Sequence, residues 1–195
     1  KDPPRLIHRL DKETSGILLL ARDVKTANTI STLFRDKQVE KIYWALVEGV
    51  PKKEKGILES YIGDVDIWKP RNNLRLIEQK KGRQYNDNKK KALTLYKVIE
   101  KIGSKYAWLE LKPTTGRTHQ LRIHCAALGN PIVGDRKYKS SEDKNSQDLP
   151  YSFKKLFLHA RCVTFVHPVS KKTTKIEAPL PKHMGLVWKH FGWKI

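Results

Sequence analysis

Short apolar runs, separated by polar stretches that contain glycine or proline, make up most of the chain. The run 17–21 is uninterrupted Ile-Leu-Leu-Leu-Ala between Gly16 and charged residues, which predicts a buried strand. After it, apolar residues at helical spacing follow Asp23, which predicts an amphipathic helix with Asp23 as its N-cap. Alternating or β-branched runs predict further strands at 42–47, 57–62, 92–98, 106–112, 164–167 and 173–179.

Two more helices are predicted in the second half of the chain. In the first of them Thr118 suits the N-cap and Gly129 suits the C′ position, after a turn that begins at Gly116. Its predicted inward side is Leu121, Ala127 and Leu128. The second is an aromatic-rich helix over 183–193, with Leu186, Val187, His190 and Phe191 on one side.

The order of these elements indicates the fold class. The strands 92–98 and 106–112 are joined by a short turn at 103–104, which predicts an antiparallel hairpin. Strands and helices do not alternate regularly. We therefore expect an α+β fold with a mixed, largely antiparallel central sheet and flanking helices. The chain has 195 residues, a length that supports one domain over 1–195 with a substantial core.

The charge of the chain points to a polyanionic partner. Lys and Arg number 40 against 20 Asp and Glu, a formal net charge of +20. Such self-repulsion is typical of proteins that bind nucleic acid, but it does not separate enzymes from structural RNA-binding proteins. The most basic stretch, 69–91, is interpreted either as a flexible hairpin that follows an RNA backbone or as a solvated loop.

Cysteine and histidine spacing gives no sign of a disulfide framework or a metal site. Cys125 and Cys162 form no Cys-x-x-Cys pair, and His119 and His124 lie five apart, which does not match a zinc-binding helix. We predict no metal and no cofactor. The lack of a disulfide framework favours a reducing cytoplasm, and no apolar run reaches membrane-spanning length, so we expect no membrane segment.

The polar loop before the first predicted strand is the main candidate for chemistry. It reads His-Arg-Leu-Asp-Lys-Glu-Thr-Ser-Gly over 8–16. Asp11 lies between two cations, Arg9 and Lys12, on a loop that a core strand would hold rigidly. Such a carboxylate can act as a nucleophile or general base, or it can simply cap a turn.

Two other runs carry candidate residues, each with a plainer alternative. Tyr43 lies in Lys-x-Tyr-x-Ala-x-Val-x-Gly over 41–49, where a strand tyrosine is ordinarily a core residue. Arg117 and Arg122 lie in Thr-Gly-Arg-Thr-His-Gln-Leu-Arg-Ile-His over 115–124. Arginines in so basic a chain commonly contact phosphate or solvent.

Together the three runs, in this order, resemble the signature motifs of the RluA-type pseudouridine synthases. The resemblance implies that Asp11 is the catalytic residue and attacks the target uridine. It further implies that Arg9 enters the RNA stack in place of an extruded uridine, Tyr43 stacks on the flipped base, and Leu121 lines the pocket. Arg122 would pair with Asp11, keep its charge and fix its direction. Attack at C6 of the ring and attack at C1′ both suit this arrangement.

The same resemblance implies the substrate and the boundaries of the domain. The run 156–160 looks most like the ribosomal large-subunit members, which favours ribosomal RNA over transfer RNA. We also expect a monomer. From the resemblance we expect that the strands normally preceding the first motif, and an N-terminal RNA-binding domain of the S4 kind, lie outside this chain. The rival hypothesis is a non-catalytic RNA-binding or ribosome assembly module. A nuclease using Asp11, His8 and His119 is disfavoured because the sequence has no metal-binding carboxylate cluster.

Overall fold

The computed structural model describes residues 3–62, 90–138 and 155–195. Most of the predicted basic hairpin and the predicted surface loop at 139–150 lie outside these residues. The strands are β1 (Arg5–Leu6), β2 (Ser15–Gly16), β3 (Leu20–Ala21), β4 (Glu40–Glu48), β5 (Lys55–Ile62), β6 (Lys90–Ile102), β7 (Tyr106–Pro113), β8 (Leu158–Val166) and β9 (Thr173–Glu177). The helices are α1 (Val24–Arg35), α2 (Gln120–Ala127) and α3 (Lys182–His190).

One sheet of seven strands forms the centre of the described structure. Its order is β2-β8-β4-β7-β6-β5, with β9 paired to β8 beside this path. All of its pairings are antiparallel except β2 with β8, which is parallel. This mixed, largely antiparallel sheet with helices confirms the expected α+β class, and β6 and β7 confirm the predicted hairpin.

The main core is built on β4 and β7, the central strands of the sheet. Ala45, Leu46 and Leu109 are fully buried there, and the indole of Trp108 packs edge-on against Trp188 of α3, with 5.4 Å between ring centroids. The buried residues of α3 are Met184, Val187 and Trp188, whereas Leu186 and His190 are exposed. The predicted inward side was therefore wrong for two of its four residues, because the tryptophans determine which face of α3 meets the sheet.

The run 17–21 is not the continuous buried strand that its composition predicts. Leu18 is 44% exposed and Leu20 is 50% exposed, and the chain divides into β2 and β3. Gly16 is the reason for the break. Its φ is +109°, and a Cβ there would lie 2.3 Å from the carbonyl oxygen of Ala160 in β8. Only glycine allows the chain to meet β8 so closely and then turn away to pair with β1.

Helix α1 begins as predicted, with the Asp23 carboxylate accepting a hydrogen bond from the Thr26 amide at 2.7 Å. It packs Leu33 and Phe34 against a second small core, formed by the buried residues Ile17, Val39, Val163 and Phe165. This small core supports the loop 8–16, because its member Ile17 directly follows that loop. No helix within the described ranges is long and apolar enough to cross a membrane.

Candidate active site

A cleft of about 800 Å³ lies where four segments of the chain meet. They are the loop that carries Asp11, the end of α1 with the turn after it, the start of β4, and the residues between the end of β7 and the start of α2. Arg9, Asp11, Tyr43 and Leu121 all line this cleft, so four of the five predicted site residues share it. Positions more than a hundred residues apart in the chain are thus brought together.

Asp11 is held by the backbone of its loop and not through its side chain. The Thr14 amide donates to the Asp11 carbonyl oxygen at 2.9 Å, and β2 then fixes the end of the loop against β8. The Ser15 hydroxyl adds a hydrogen bond of 2.9 Å with Nδ1 of His159. The described residues give the Asp11 carboxylate no hydrogen-bond donor, so they offer no sign of the turn-capping role.

Tyr43 lies on β4 between Leu111 of β7 and Ala160 of β8. Its side chain is half-buried: it packs against the main core and also borders the cleft. Burial, together with the charge of Asp11, raises the pKa of the Tyr43 phenol to about 12. The ring is therefore neutral at physiological pH.

Arg122 has a different partner from the one predicted. Its Nε and Nη2 donate to the two carboxylate oxygens of Asp135, both at 2.7 Å, in a buried bidentate pair. No direct ion pair with Asp11 is found among the described residues, which corrects the expectation that Arg122 grips Asp11 itself. Burial opposes the charge of Arg122, but Asp135, and more weakly Asp11, keep its pKa above the ordinary value. The charge of Asp11 thus reaches the guanidinium of Arg122, although the described residues show no ion pair between the two groups.

Sequence reasoning gave no site role to Asp135 and Tyr138, the two residues whose side chains contact Arg122. Asp135 also accepts hydrogen bonds from the amides of Lys137 and Tyr138, at 2.9 and 3.1 Å, and these contacts with Arg122 hold its pKa below the ordinary value despite burial. The Tyr138 ring lies 5.1 Å from the guanidinium, and its hydroxyl is 2.8 Å from Nδ1 of His119. A buried arginine demands a buried carboxylate, which is the signal that could have drawn attention to Asp135.

The start of α2 also differs from the prediction. The N-cap is His119, in the left-handed conformation with φ 53°, rather than Thr118. The Gln120 side chain instead fixes the turn before the helix, because its Oε1 accepts from the Arg117 amide at 3.0 Å and from the Thr115 hydroxyl at 2.7 Å. Its Nε2 donates to the Leu93 carbonyl oxygen and the Thr94 hydroxyl, which fastens the helix to β6. This anchoring turns Leu121 toward the cleft.

A second buried polar chain fixes the middle of α2. The two ring nitrogens of His124 lie 2.9 Å from the hydroxyls of Thr94 and Ser60. Burial lowers the pKa of His124 to about 4. Leu121 is buried as predicted, but Ala127 is exposed, so His124 and Cys125 take its place on the inward side. Gly129 occupies the C′ position as predicted, with φ +83°.

His8 and Lys41 complete the wall of the cleft. The His8 ring stacks on Phe34 with centroids 4.7 Å apart, and its Nε2 accepts from the Leu19 amide at 2.8 Å. Burial, together with the charge of Lys41, lowers the pKa of His8. The described residues contain no group of three His, Cys, Asp or Glu side chains that could hold a metal.

Comparison with known proteins gives a consistent picture. The family model described as RNA pseudouridylate synthase matches residues 1–127. An uncharacterised RNA pseudouridine synthase of Zymomonas mobilis is 39% identical over 92% of this chain and 74% of its own length. The ribosomal large subunit pseudouridine synthase C of Rickettsia typhi is 38% identical over 91% of this chain, which spans only 54% of that relative.

Two solved human structures share the fold. RNA pseudouridylate synthase domain containing 4 superposes with a TM-score of 0.79 at 28% identity, covering all of this chain and 78% of its own. RNA pseudouridylate synthase domain containing 1 gives a TM-score of 0.69 at 31% identity, covering 92% of this chain and 70% of its own.

Proposed function

Since the chain belongs to the RNA pseudouridylate synthase family, whose members are isomerases, we propose that it converts uridine in RNA to pseudouridine with Asp11 as nucleophile. The reaction breaks the bond between N1 and C1′, turns the base while it is held, and joins C5 to C1′. Because the product is an isomer of the substrate, no oxidant, reductant or phosphate donor is consumed.

The observation that carries this proposal is the state of the Asp11 carboxylate. It faces the cleft, and the described residues supply no hydrogen bond that would occupy its oxygens. A carboxylate whose lone pairs are not engaged is free to attack a carbon of a bound nucleotide. Its negative charge acts on Tyr43, His119 and Arg122, which places it within the electrostatic reach of all three.

Tyr43 and Leu121 suit the two sides of a flat pyrimidine. The phenol ring offers a face for stacking, and its raised pKa keeps it uncharged in contact with the base. Leu121 is 7% exposed and borders the cleft with an apolar side chain. An aromatic face opposite an aliphatic contact would hold uracil while it turns between bond breaking and bond making.

Arg9 is well placed to act on the RNA itself. It is exposed at the rim of the cleft, two residues from Asp11. A uracil inside a helix cannot reach Asp11, so the nucleotide must leave the stack. The planar guanidinium of Arg9 can stack on the neighbouring bases and fill the gap.

Arg122 would support Asp11 at a distance. Because Asp135 occupies two of its donor nitrogens, Arg122 is fixed in position and cannot close onto Asp11 with the same bidentate geometry. The oxygens of Asp11 therefore stay available for the substrate.

We further propose large-subunit ribosomal RNA as the substrate, with transfer RNA as the alternative. The relatives named ribosomal large subunit pseudouridine synthase C support this, although the chain spans about half of their length. Mapping pseudouridines in ribosomal and transfer RNA from cells with and without the gene would identify the target. Loss confined to transfer RNA would exclude the ribosomal assignment.

Tritium release from RNA labelled at C5 of uridine tests the nucleophile. We expect the whole protein to release tritium, and Asp11→Asn to lower the rate at least about 10³-fold, because the amide is a poor nucleophile. Glu13→Gln removes an exposed carboxylate from the same loop and serves as the matched control, with activity like the wild type.

Binding separates the rival explanations. Asp11→Asn should bind the RNA as tightly as the wild type, since Asp11 carries no positive charge for phosphate contact. Release by Asp11→Asn at the wild-type rate would remove Asp11 as nucleophile. RNA binding without release by either protein would instead support the non-catalytic module.

A further inference from the structure

Lys41 is an ammonium group withdrawn from solvent inside the cleft. It precedes Tyr43 by two residues on β4, and both side chains border the cleft. Its Nζ lies 5.9 Å from the centre of the Phe34 ring and 3.9 Å from the position that a Cβ would occupy at Gly116. The group thus sits between α1 and the loop that leads into α2.

Lys41 differs from the other cations that line the cleft, which either have partners or, like Arg9 and Lys37, are exposed to solvent. The Nζ of Lys112 lies 2.7 Å from Glu40, and the Nε of Arg117 donates to the Lys91 carbonyl oxygen at 3.2 Å. Across 3–62, 90–138 and 155–195, Lys41 has no carboxylate within ion-pair distance and no hydrogen-bond acceptor. Burial lowers its pKa, with no negative group to raise it again.

A half-buried cation without a counter-charge destabilises the free protein. We therefore expect a bound ligand to supply the negative charge that Lys41 lacks. Two neighbours of Lys41, the neutral His8 ring and the apolar Phe34 ring, supply no negative charge. The ligand that binds Lys41 should therefore be an anion. Alternate residues of a strand lie about 6–7 Å apart. That separation is the size of one nucleotide, so a base stacked on Tyr43 brings its own backbone phosphate toward Lys41.

We propose that Lys41 is the binding site for a backbone phosphate of the flipped nucleotide, a subsite that fixes the target residue at its phosphodiester while Tyr43 and Asp11 engage the base. The inference rests on the proposed function, because it assumes RNA with an extruded uridine in the cleft. Its role is positioning: Lys41 anchors the nucleotide that Asp11 attacks.

The test pairs Lys41→Met with RNA that carries a single methylphosphonate, which is a neutral linkage, at each phosphate near the target uridine. For the wild type we expect one linkage at which neutralisation lowers kcat/KM by ~10- to 100-fold, the range of a charge-assisted hydrogen bond. Lys41→Met should show a similar loss on natural RNA and no further loss at that linkage. Lys41→Arg, which keeps the charge, should retain sensitivity to the linkage.

Lys52→Met is the matched control, since it removes the same charge from an exposed position away from the cleft. It should keep the full methylphosphonate effect. Lys41→Met should also raise the thermal midpoint of the free protein, because a desolvated charge is removed. This rise shows that lost activity does not come from misfolding.

Additive effects of Lys41→Met and methylphosphonate at every linkage would overturn the inference. So would a lower thermal midpoint of Lys41→Met combined with unchanged sensitivity to the linkage, which would make Lys41 a structural residue. If the wild type forms no pseudouridine at all, the proposed function fails instead. The two failures are therefore distinguishable.

Discussion

At the scale of single residues, two carboxylates near one arginine have opposite roles. Asp135 is fully engaged by Arg122 and by two backbone amides, whereas Asp11 takes no side-chain hydrogen bond within the described parts of the chain. The buried pair fixes where the positive charge of Arg122 lies, and it leaves the Asp11 carboxylate open to the cleft.

The buried pair makes a prediction for stability. Asp135→Ala should lower the free energy of unfolding by about 3–5 kcal/mol, because it leaves an unpaired charge inside the protein. Replacing both partners, with Asp135→Ala and Arg122→Met, should cost clearly less than the two single changes added together. Denaturant unfolding of the four proteins measures the coupling.

An exposed pair is the control for this measurement. Glu59 and Lys91 lie 3.0 Å apart with both side chains about half in solvent, so Glu59→Ala should cost less than about 1 kcal/mol. Equal losses for Asp135→Ala and Glu59→Ala would mean that the buried pair does not hold Arg122 in place.

At the scale of elements, the seam where β2 pairs with β8 determines where the loop 8–16 lies. Two residues of β2 pair in parallel with His159 and Ala160, and Gly16 approaches the Ala160 backbone so closely that no side chain fits. The loop with Asp11 immediately precedes this seam. Its position over the cleft therefore depends on a contact that only glycine permits.

Gly16→Ala should consequently destabilise the protein by about 3 kcal/mol or more, through strain at positive φ and a clash with β8. Activity should fall further than stability alone explains, because the loop shifts. Gly103→Ala is the matched control: φ there is +52° but nothing lies within 4 Å, so only about 1 kcal/mol is expected. Thermal unfolding and tritium release compare the two variants. Similar stability of both would show that the seam tolerates a side chain.

At the scale of the whole molecule, a buried polar network couples α2 to the sheet and makes folding sensitive to pH. His124 has a pKa of about 4 because it is buried, against 6.5 for the ordinary side chain. The folded state therefore prefers neutral His124. This preference is fully present above pH 6.5 and is lost as the pH falls toward 4.

The expected size of this loss for His124 is about 3 kcal/mol of unfolding free energy between pH 6.5 and 4. His124→Gln should be less stable than the wild type at neutral pH, and the difference should shrink as the solution is acidified. Denaturant unfolding at several pH values gives the unfolding free energy of the wild type and of His124→Gln as a function of pH. The remaining histidines contribute equally to both proteins. Parallel curves would show that His124 does not contribute to the acid sensitivity.

Much of the architecture follows from local sequence. The N-cap at Asp23, the hairpin of β6 and β7, and the glycine that ends α2 depend on interactions within a few residues, so the pattern predicts them. The family resemblance, which the comparisons confirm, depends on three short runs. The grouping of Asp11, Tyr43 and Leu121 in one cleft agrees with the roles that this resemblance implies, and those roles stay predictions.

Long-range packing alone decided the rest. Leu18 and Leu20 are exposed because the chain leaves the sheet after Gly16. The apolar composition of the run 17–21 does not reveal this break. Arg122 pairs with Asp135 because a turn after α2 places that carboxylate beneath it, and a sequence gives the charges without the distances. The physical reason is the same in both cases. Secondary structure is set by neighbours along the chain, whereas burial and ion pairing depend on which distant segments occupy the same volume.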